Sequence, residues 1–301
     1  MGNDASDERA FARAKSGYER LGEAEGADVS AAGRSRLLEH GRTTERAYVL
    51  LHGLTASPSQ FAEFAAALHA TGANVFVPRL PRHGHADRLT RVLAGLTAAE
   101  LTTWAYEVVA AAQGLGRHLT VVGFSAGGLL GAWIAQHIAV DRVVCIAPLL
   151  GVGRVPMRLG RSITSAMLRA PNAFVWWHPV EREHHGPPHG YPRFATHAVA
   201  HAWRLGVDVL ATARTRAPAT RDIVLVSNAS ETTVNNRATA HLADAWTAHA
   251  AGRVAVRHLV GLPPSHDIIE PLRRHPLAAA VYPQLLEIVT APHVLAPLTE
   301  T

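Results

Sequence analysis

A chain of 301 residues that is 48 % hydrophobic and 18 % charged can bury a large core, which excludes a disordered polypeptide. Its net charge of +5 comes from scattered arginines, Lys15 being the one lysine, so no basic stripe points to a nucleic-acid partner. The single cysteine, Cys145, cannot close an internal disulfide, and its apolar neighbours make it an inert strand residue.

Residues 1–46 read as a peripheral segment with a short amphipathic helix near 8–21. The charged start lacks the apolar stretch of a secretory leader, so a cytoplasmic location is expected. Six β-branched runs then follow: 47–51 (AYVLL), 74–78 (NVFVP), 119–123 (LTVVG), 142–147 (RVVCIA), 222–227 (DIVLVS) and 254–259 (VAVRHL). Most are continuously apolar, the mark of parallel strands covered on both faces. Helical patterns separate them. Ser57, Pro58 and Gln60 predict a capping box for a helix carrying Phe61, Phe64, Ala65 and Leu68, ended by Gly72. Thr97 and Glu100 predict a second box, before Leu101, Trp104, Ala105 and Val108, with Gly114 as the stop. The alternation implies an α/β fold with a mostly parallel sheet and right-handed crossovers.

Residues 121–140 are apolar enough to resemble a membrane span. Gly123, Gly127, Gly128, Gln136 and His137 argue instead for a strand, a sharp turn and a buried helix, so no integral membrane association is expected. Within this stretch Gly123-Phe124-Ser125-Ala126-Gly127 matches G-x-S-x-G, the nucleophile elbow. A serine pointing out of so tight a turn leaves no room for side chains two residues before and after it. The alternative is a glycine-rich turn with no chemistry; the spacing does not match the G-x-G-x-x-G of a dinucleotide loop.

A serine hydroxyl needs a base, and the base an orienting acid. His266 lies in the loop after the last apolar run, whereas His258 lies within the run itself. Glu231 sits in a polar turn after 222–227; the alternative is an exposed turn glutamate. Asp222 opens its strand at the far end of the sheet, and Asp267, adjacent to the histidine, is expected to point away from it. The oxyanion donors expected are the N–H groups of Ala126 and of Leu54, the latter in the loop 50–58 (LLHGLTASP).

The pattern of strands lapses between residues 150 and 220, read as a helical insertion over the sheet's carboxyl edge with no clear strand. Its Phe174, Trp176, Trp177, Tyr191 and Trp203 either line an acyl pocket or pack the insertion onto the sheet. The histidines at 184, 185, 189, 197 and 201 have no HExxH arrangement and no cysteine beside them, so no metal or other cofactor is expected. His83 and His85 are expected to shape a loop beside the site.

Together, LLHGLTASP, PRLPRHGH at 78–85, GFSAGG and the late SHD resemble the α/β-hydrolase superfamily, and more narrowly its bacterial carboxylesterase and monoacylglycerol-lipase-like branch. The resemblance spans roughly 45–290 in the order oxyanion loop, serine, acid, histidine. It implies Ser125 as nucleophile, His266 as base, a carboxylate at Glu231, and oxyanion donors at Leu54 and Ala126. It also implies a core of 47–149 and 221–295 with a helical cap at 150–220, acting on small-molecule esters. The family usually has aspartate at the acid position. Acyltransferase, thioesterase, perhydrolase and serine peptidase chemistry use the same triad. A non-catalytic binding protein would have no need of the strained elbow.

Overall fold

Each of the six apolar runs becomes a strand of one seven-stranded sheet, and burial accompanies strand propensity in all but the last of them. The computed structural model describes residues 2–262, 264–270 and 276–292. In chain order the elements are α1 (Gly2–Glu23), β1 (Arg36–Leu38), β2 (Thr44–Leu51), α2 (Ala62–His69), β3 (Asn74–Val77), α3 (Ala98–Ala112), β4 (Gly116–Phe124), α4 (Ala126–His137) and β5 (Arg142–Ile146). Then come α5 (Gly160–Arg169), β6 (Phe174–Trp176), β7 (Arg193–Ala195), α6 (Thr196–Ala213), β8 (Asp222–Asn228), α7 (Asn236–Thr247), β9 (Arg253–Leu259) and α8 (Pro276–Thr290). The strand order is β1-β3-β2-β4-β5-β8-β9, and every neighbouring pair is parallel except β1 with β3. The inner strands are buried on both faces, which is why their sequences do not alternate. β9, at the edge, exposes Val256, Arg257 and His258.

The segment before residue 47 is more than peripheral. Its helix runs from Gly2 to Glu23, buries Phe11 and Ala14, and packs so close to α3 that a Cβ at Gly17 would lie 2.9 Å from Ala111 Cα. It also supplies β1, three residues too short to register as a strand in the sequence. Of the two predicted boxes, only the second forms the capping contact of its first residue. Thr97 Oγ1 accepts the Glu100 N–H at 3.1 Å, while the Glu100 carboxylate turns away to Arg82 at 2.8 Å. Ser57 caps nothing with its side chain; Pro58–Phe61 form a 3-10 turn ahead of α2, and the Gln60 amide is used elsewhere.

The stretch from 150 to 220 holds α5 and α6, and also an antiparallel pair, β6 with β7, that the sequence did not announce. α6 packs on α4 and α5 on α6; Gly206 approaches the Leu149 carbonyl closely enough that a Cβ would lie 2.8 Å from it. At the amino ends of β5 and β8 the buried Arg142 guanidinium pairs with Asp222 at 2.6 Å, placing that carboxylate remote from the carboxyl-end loops. Among the described residues no helix is long and apolar enough to cross a membrane, and the apolar run 121–140 divides into β4, a turn and α4.

Candidate active site

Ser125 joins β4 directly to α4 with φ +56 and ψ −111, a conformation that L-residues adopt at a cost. The turn is held by backbone bonds: the Ser125 N–H donates to Ile146 O at 2.9 Å, and Ser125 O accepts from Leu129 and Leu149. The flanking glycines are required sterically. A Cβ at Gly123 would lie 2.0 Å from Gly127 O, and one at Gly127 would lie 1.9 Å from Leu51 O and 2.7 Å from His52 O. Those atoms are backbone and cannot swing aside. Gly127→Ala is therefore expected to cost more than the roughly 1–3 kcal/mol of ordinary overpacking. Urea or thermal unfolding checks this against Gly72→Ala. Gly72 has φ +88 but nothing near its would-be Cβ, so its substitution should cost only about 1–2 kcal/mol.

The His266 loop follows β9 and the Glu231 turn follows β8, so both side chains rise at the carboxyl end of the sheet beside the elbow. His266 Nε2 lies 2.8 Å from Ser125 Oγ, and His266 Nδ1 lies 2.6 Å from Glu231 Oε2. A carboxylate at Nδ1 selects the tautomer protonated there and leaves the Nε2 lone pair for the serine hydroxyl. The Phe124 ring packs against the imidazole, centroids 5.0 Å apart. The Glu231 side chain is 1 % exposed and that of His266 20 %. Burial pushes the Glu231 carboxyl up, but the hydrogen bond and charge of His266, with the N–H groups of Thr233 and Val234, outweigh it and hold the carboxyl below its usual range. Thr233 N–H donates to Glu231 Oε1 at 2.6 Å. Asp267 Oδ1 instead accepts from Gln60 Nε2 at 3.4 Å, and His258 Nδ1 lies 2.8 Å from Ser227 Oγ within the sheet.

Leu54 lies in the loop after β2, and Ala126 is the first residue of α4, where helical N–H groups lack intrahelical acceptors. Among the described residues no acceptor takes either N–H. The loop is fixed from beneath by His52, whose Nδ1–H donates to Gly53 O at 2.9 Å and whose Nε2 accepts the Leu80 N–H at 3.1 Å. Burial, reinforced by the neighbouring His83, drives the His52 imidazole well below its usual range, so it stays neutral. Burial likewise lowers His83 to about 4; its Nδ1 faces Pro81 O, and His85 pairs with Asp28. Both shape the 80–86 loop.

A cavity of about 470 Å³ opens at Ser125. Its apolar wall includes Leu54, Leu149, Val152, Phe194, Val199 and Val234. Of the five aromatics singled out in the sequence, Trp177 and Tyr191 line it; Phe174, Trp176 and Trp203 do not. Strand alternation explains the first two: Phe174 and Trp176 share one face of β6, where Arg193 stacks on both, its guanidinium 4.6 and 5.5 Å from their rings. Trp203 is buried under α5, near Gly160. Sequence reasoning missed Phe194, which packs against Trp177 with the rings tilted and their centroids 4.5 Å apart, and Gln60. It also missed Glu270, which meets the buried His189 at 3.0 Å; His189 Nδ1 in turn lies 3.0 Å from Ser57 Oγ. A larger cleft of about 950 Å³ is lined by α1 and α3 and contains no histidine, so volume does not decide the site. His178, Glu181 and His185, the last of which lines the cavity, bring ligand-type atoms within 4.8 Å of one another. They also bond among themselves: His178 Nδ1 accepts the Glu181 N–H, and His185 Nδ1 pairs with Glu181 Oε2 at 2.5 Å.

A sheet with one antiparallel edge, a strained serine between β4 and α4, and a histidine and a carboxylate delivered from later loops define a class. The chain belongs to the alpha/beta hydrolase fold family, whose model matches residues 48–248. Among solved structures it is similar to one of the metagenome-derived lipolytic enzymes LipS and LipT, with a TM-score of 0.63 and 17 % identity over 87 % of this chain and 98 % of that one. It is similar too to the monoacylglycerol lipase of Paleococcus ferrophilus, with a TM-score of 0.57 and 15 % identity over 84 % of this chain and 98 % of that one. A soluble variant of monoglyceride lipase from Saccharomyces cerevisiae gives a TM-score of 0.59 and 10 % identity over 85 % and 90 % of the two chains. At these identities the likeness is one of fold. No curated protein matches the sequence significantly.

Proposed function

We propose that the protein hydrolyses carboxylic esters through an acyl-enzyme on Ser125. The observation that carries this reading is the continuous contact from Ser125 Oγ to His266 Nε2 at 2.8 Å and from His266 Nδ1 to Glu231 at 2.6 Å. Ser125 Oγ attacks the ester carbonyl as His266 takes its proton, and Glu231 stabilises the imidazolium. The N–H groups of Leu54 and Ala126 stabilise the tetrahedral oxyanion, each contributing on the order of 3 kcal/mol. His266 returns the proton to the departing alcohol, then activates water to release the acid. Residues 150–220 act as a cap over the core, and Trp177 and Tyr191 contact the substrate. A cavity of about 470 Å³ with an apolar wall suits short- to medium-chain acyl esters or monoacylglycerol-like lipids.

A fluorophosphonate probe tests the reading. It should form one covalent adduct per chain, located on Ser125 by peptide mass spectrometry. The protein should also turn over p-nitrophenyl esters from acetyl upward, with activity falling by palmitoyl. A chain that neither labels nor hydrolyses any member of that panel is not a serine esterase.

A further inference from the structure

The loop that carries Leu54 is held by two bodies. From the core side, Gln60 Oε1 accepts the Gly53 N–H at 2.9 Å, and Gly53 O accepts from His52 Nδ1–H at 2.9 Å and from the Ala56 N–H at 3.2 Å. That last bond closes a turn from Gly53 to Ala56, with Thr55 in its third position at φ +66. Glycine is the residue such a position favours, and a β-branched one is among the least suited. The other grip comes from residues between α5 and α6. Tyr191 N–H donates to Thr55 O at 2.7 Å, and the Trp177 indole Nε1–H donates to Thr55 Oγ1 at 2.8 Å. The Thr55 hydroxyl then donates its own proton to Leu54 O at 2.6 Å. Thr55 is buried, whereas Trp177 is 41 % exposed, so the indole reaches inward from the surface with its N–H as the contact.

We propose that Thr55 and Trp177 are positioning residues that make the oxyanion donor at Leu54 depend on a docked cap. A threonine at this φ is tolerated because its hydroxyl is used: it receives the indole N–H and fixes the Leu54 carbonyl. Remove those bonds and Thr55 relaxes towards negative φ. The turn that aims the Gly53–Leu54 peptide then opens, and its N–H no longer points at the forming oxyanion. Trp177 also lines the cavity and packs against Phe194. A substrate that presses the indole into place thereby completes the donor set for its own cleavage, which gives the reaction a dependence on cap contact. This proposal rests on the serine-esterase reading above.

The test is the rate of Ser125 phosphonylation by a fluorophosphonate, alongside kcat and KM on p-nitrophenyl butyrate. Thr55→Val keeps the β-branched shape but removes the hydroxyl and both of its bonds. It should slow both labelling and kcat by about 10–100-fold, less than the loss of a whole oxyanion donor, with KM within about twofold. Thr55→Ser should restore most of the rate. Trp177→Phe keeps an aromatic wall without the N–H and should lower kcat about tenfold. Because both act through one contact, the double variant should be no slower than Thr55→Val alone. Three results would overturn the proposal: Thr55→Val labelling at the wild-type rate, Trp177→Phe raising KM with kcat unchanged, or the two effects multiplying. Unfolding midpoints guard against misfolding, and should Thr55→Val not fold, the pair Thr55→Ser and Trp177→Phe carries the same comparison. Wild-type protein that never labels would remove the esterase reading itself, and this proposal with it.

Discussion

Ser125→Ala is expected to lower turnover of short p-nitrophenyl esters by on the order of 10⁴–10⁶-fold and to abolish the fluorophosphonate adduct. The substitution removes the one oxygen in contact with His266 Nε2. Its structural cost is small. Alanine is no less comfortable than serine at φ +56, and the turn's backbone bonds to Ile146, Leu129 and Leu149 do not involve the side chain. The lost hydroxyl contact is worth about 0.5–1.5 kcal/mol, so the unfolding midpoint should move by only a few degrees. The two readouts together separate chemistry from folding. A variant that stays folded and keeps a tenth or more of wild-type activity would remove Ser125 from the reaction, whatever the distance to the imidazole.

How far such a site is readable from sequence depends on whether its cause is local. The elbow is local: the collision of a Cβ at 123 or 127 with carbonyls of Gly127 and Leu51 forces glycine at fixed spacing around the serine. The inner strands are also legible, because burial on both faces by parallel neighbours writes itself as an unbroken apolar run. Glu231 and His266 were reachable through chain order, as loops at the carboxyl ends of parallel strands necessarily lie on one side of the sheet. Gln60 was not. Its spacing from Ser57 is that of a capping box, and nothing nearby in sequence reveals that its amide reaches back to Gly53. The aromatics fail for a related reason. Phe174, Trp176 and Trp177 are near neighbours, yet a three-residue strand turns the first two towards Arg193 and leaves the third for Phe194 and Thr55. Short strands such as β1, β6 and β7 carry too few residues for periodicity to show; their pairing partners define them.

Glu231→Gln is expected to reduce kcat by about 10²–10⁴-fold with little change in KM. The amide keeps the volume of the carboxylate but has one acceptor oxygen where the native group uses two. Oε2 faces His266 Nδ1 and Oε1 faces the Thr233 N–H, so glutamine must turn an NH₂ towards one of these donors. It also lacks the charge that, in the proposed mechanism, stabilises the imidazolium formed during attack. The pH dependence follows from the direction of the shift. The carboxyl is held below its ordinary 4.5, so its contribution to stability is fully present above that pH and is lost as pH falls through the lower folded value. The stability gap between wild type and Glu231→Gln in urea should therefore be wide near neutrality and narrow as pH falls below 4.5. Glu231→Asp keeps the charge but draws it back by one methylene, and should fall between the two in kcat. Asp222→Asn should cost stability rather than turnover, because it leaves the buried Arg142 guanidinium short of its counterion at the far end of the strands. Asp267 accepts from Gln60, so Asp267→Asn should cost less turnover than Glu231→Gln. The reverse order would move the acid from the turn after β8 to the histidine's own neighbour.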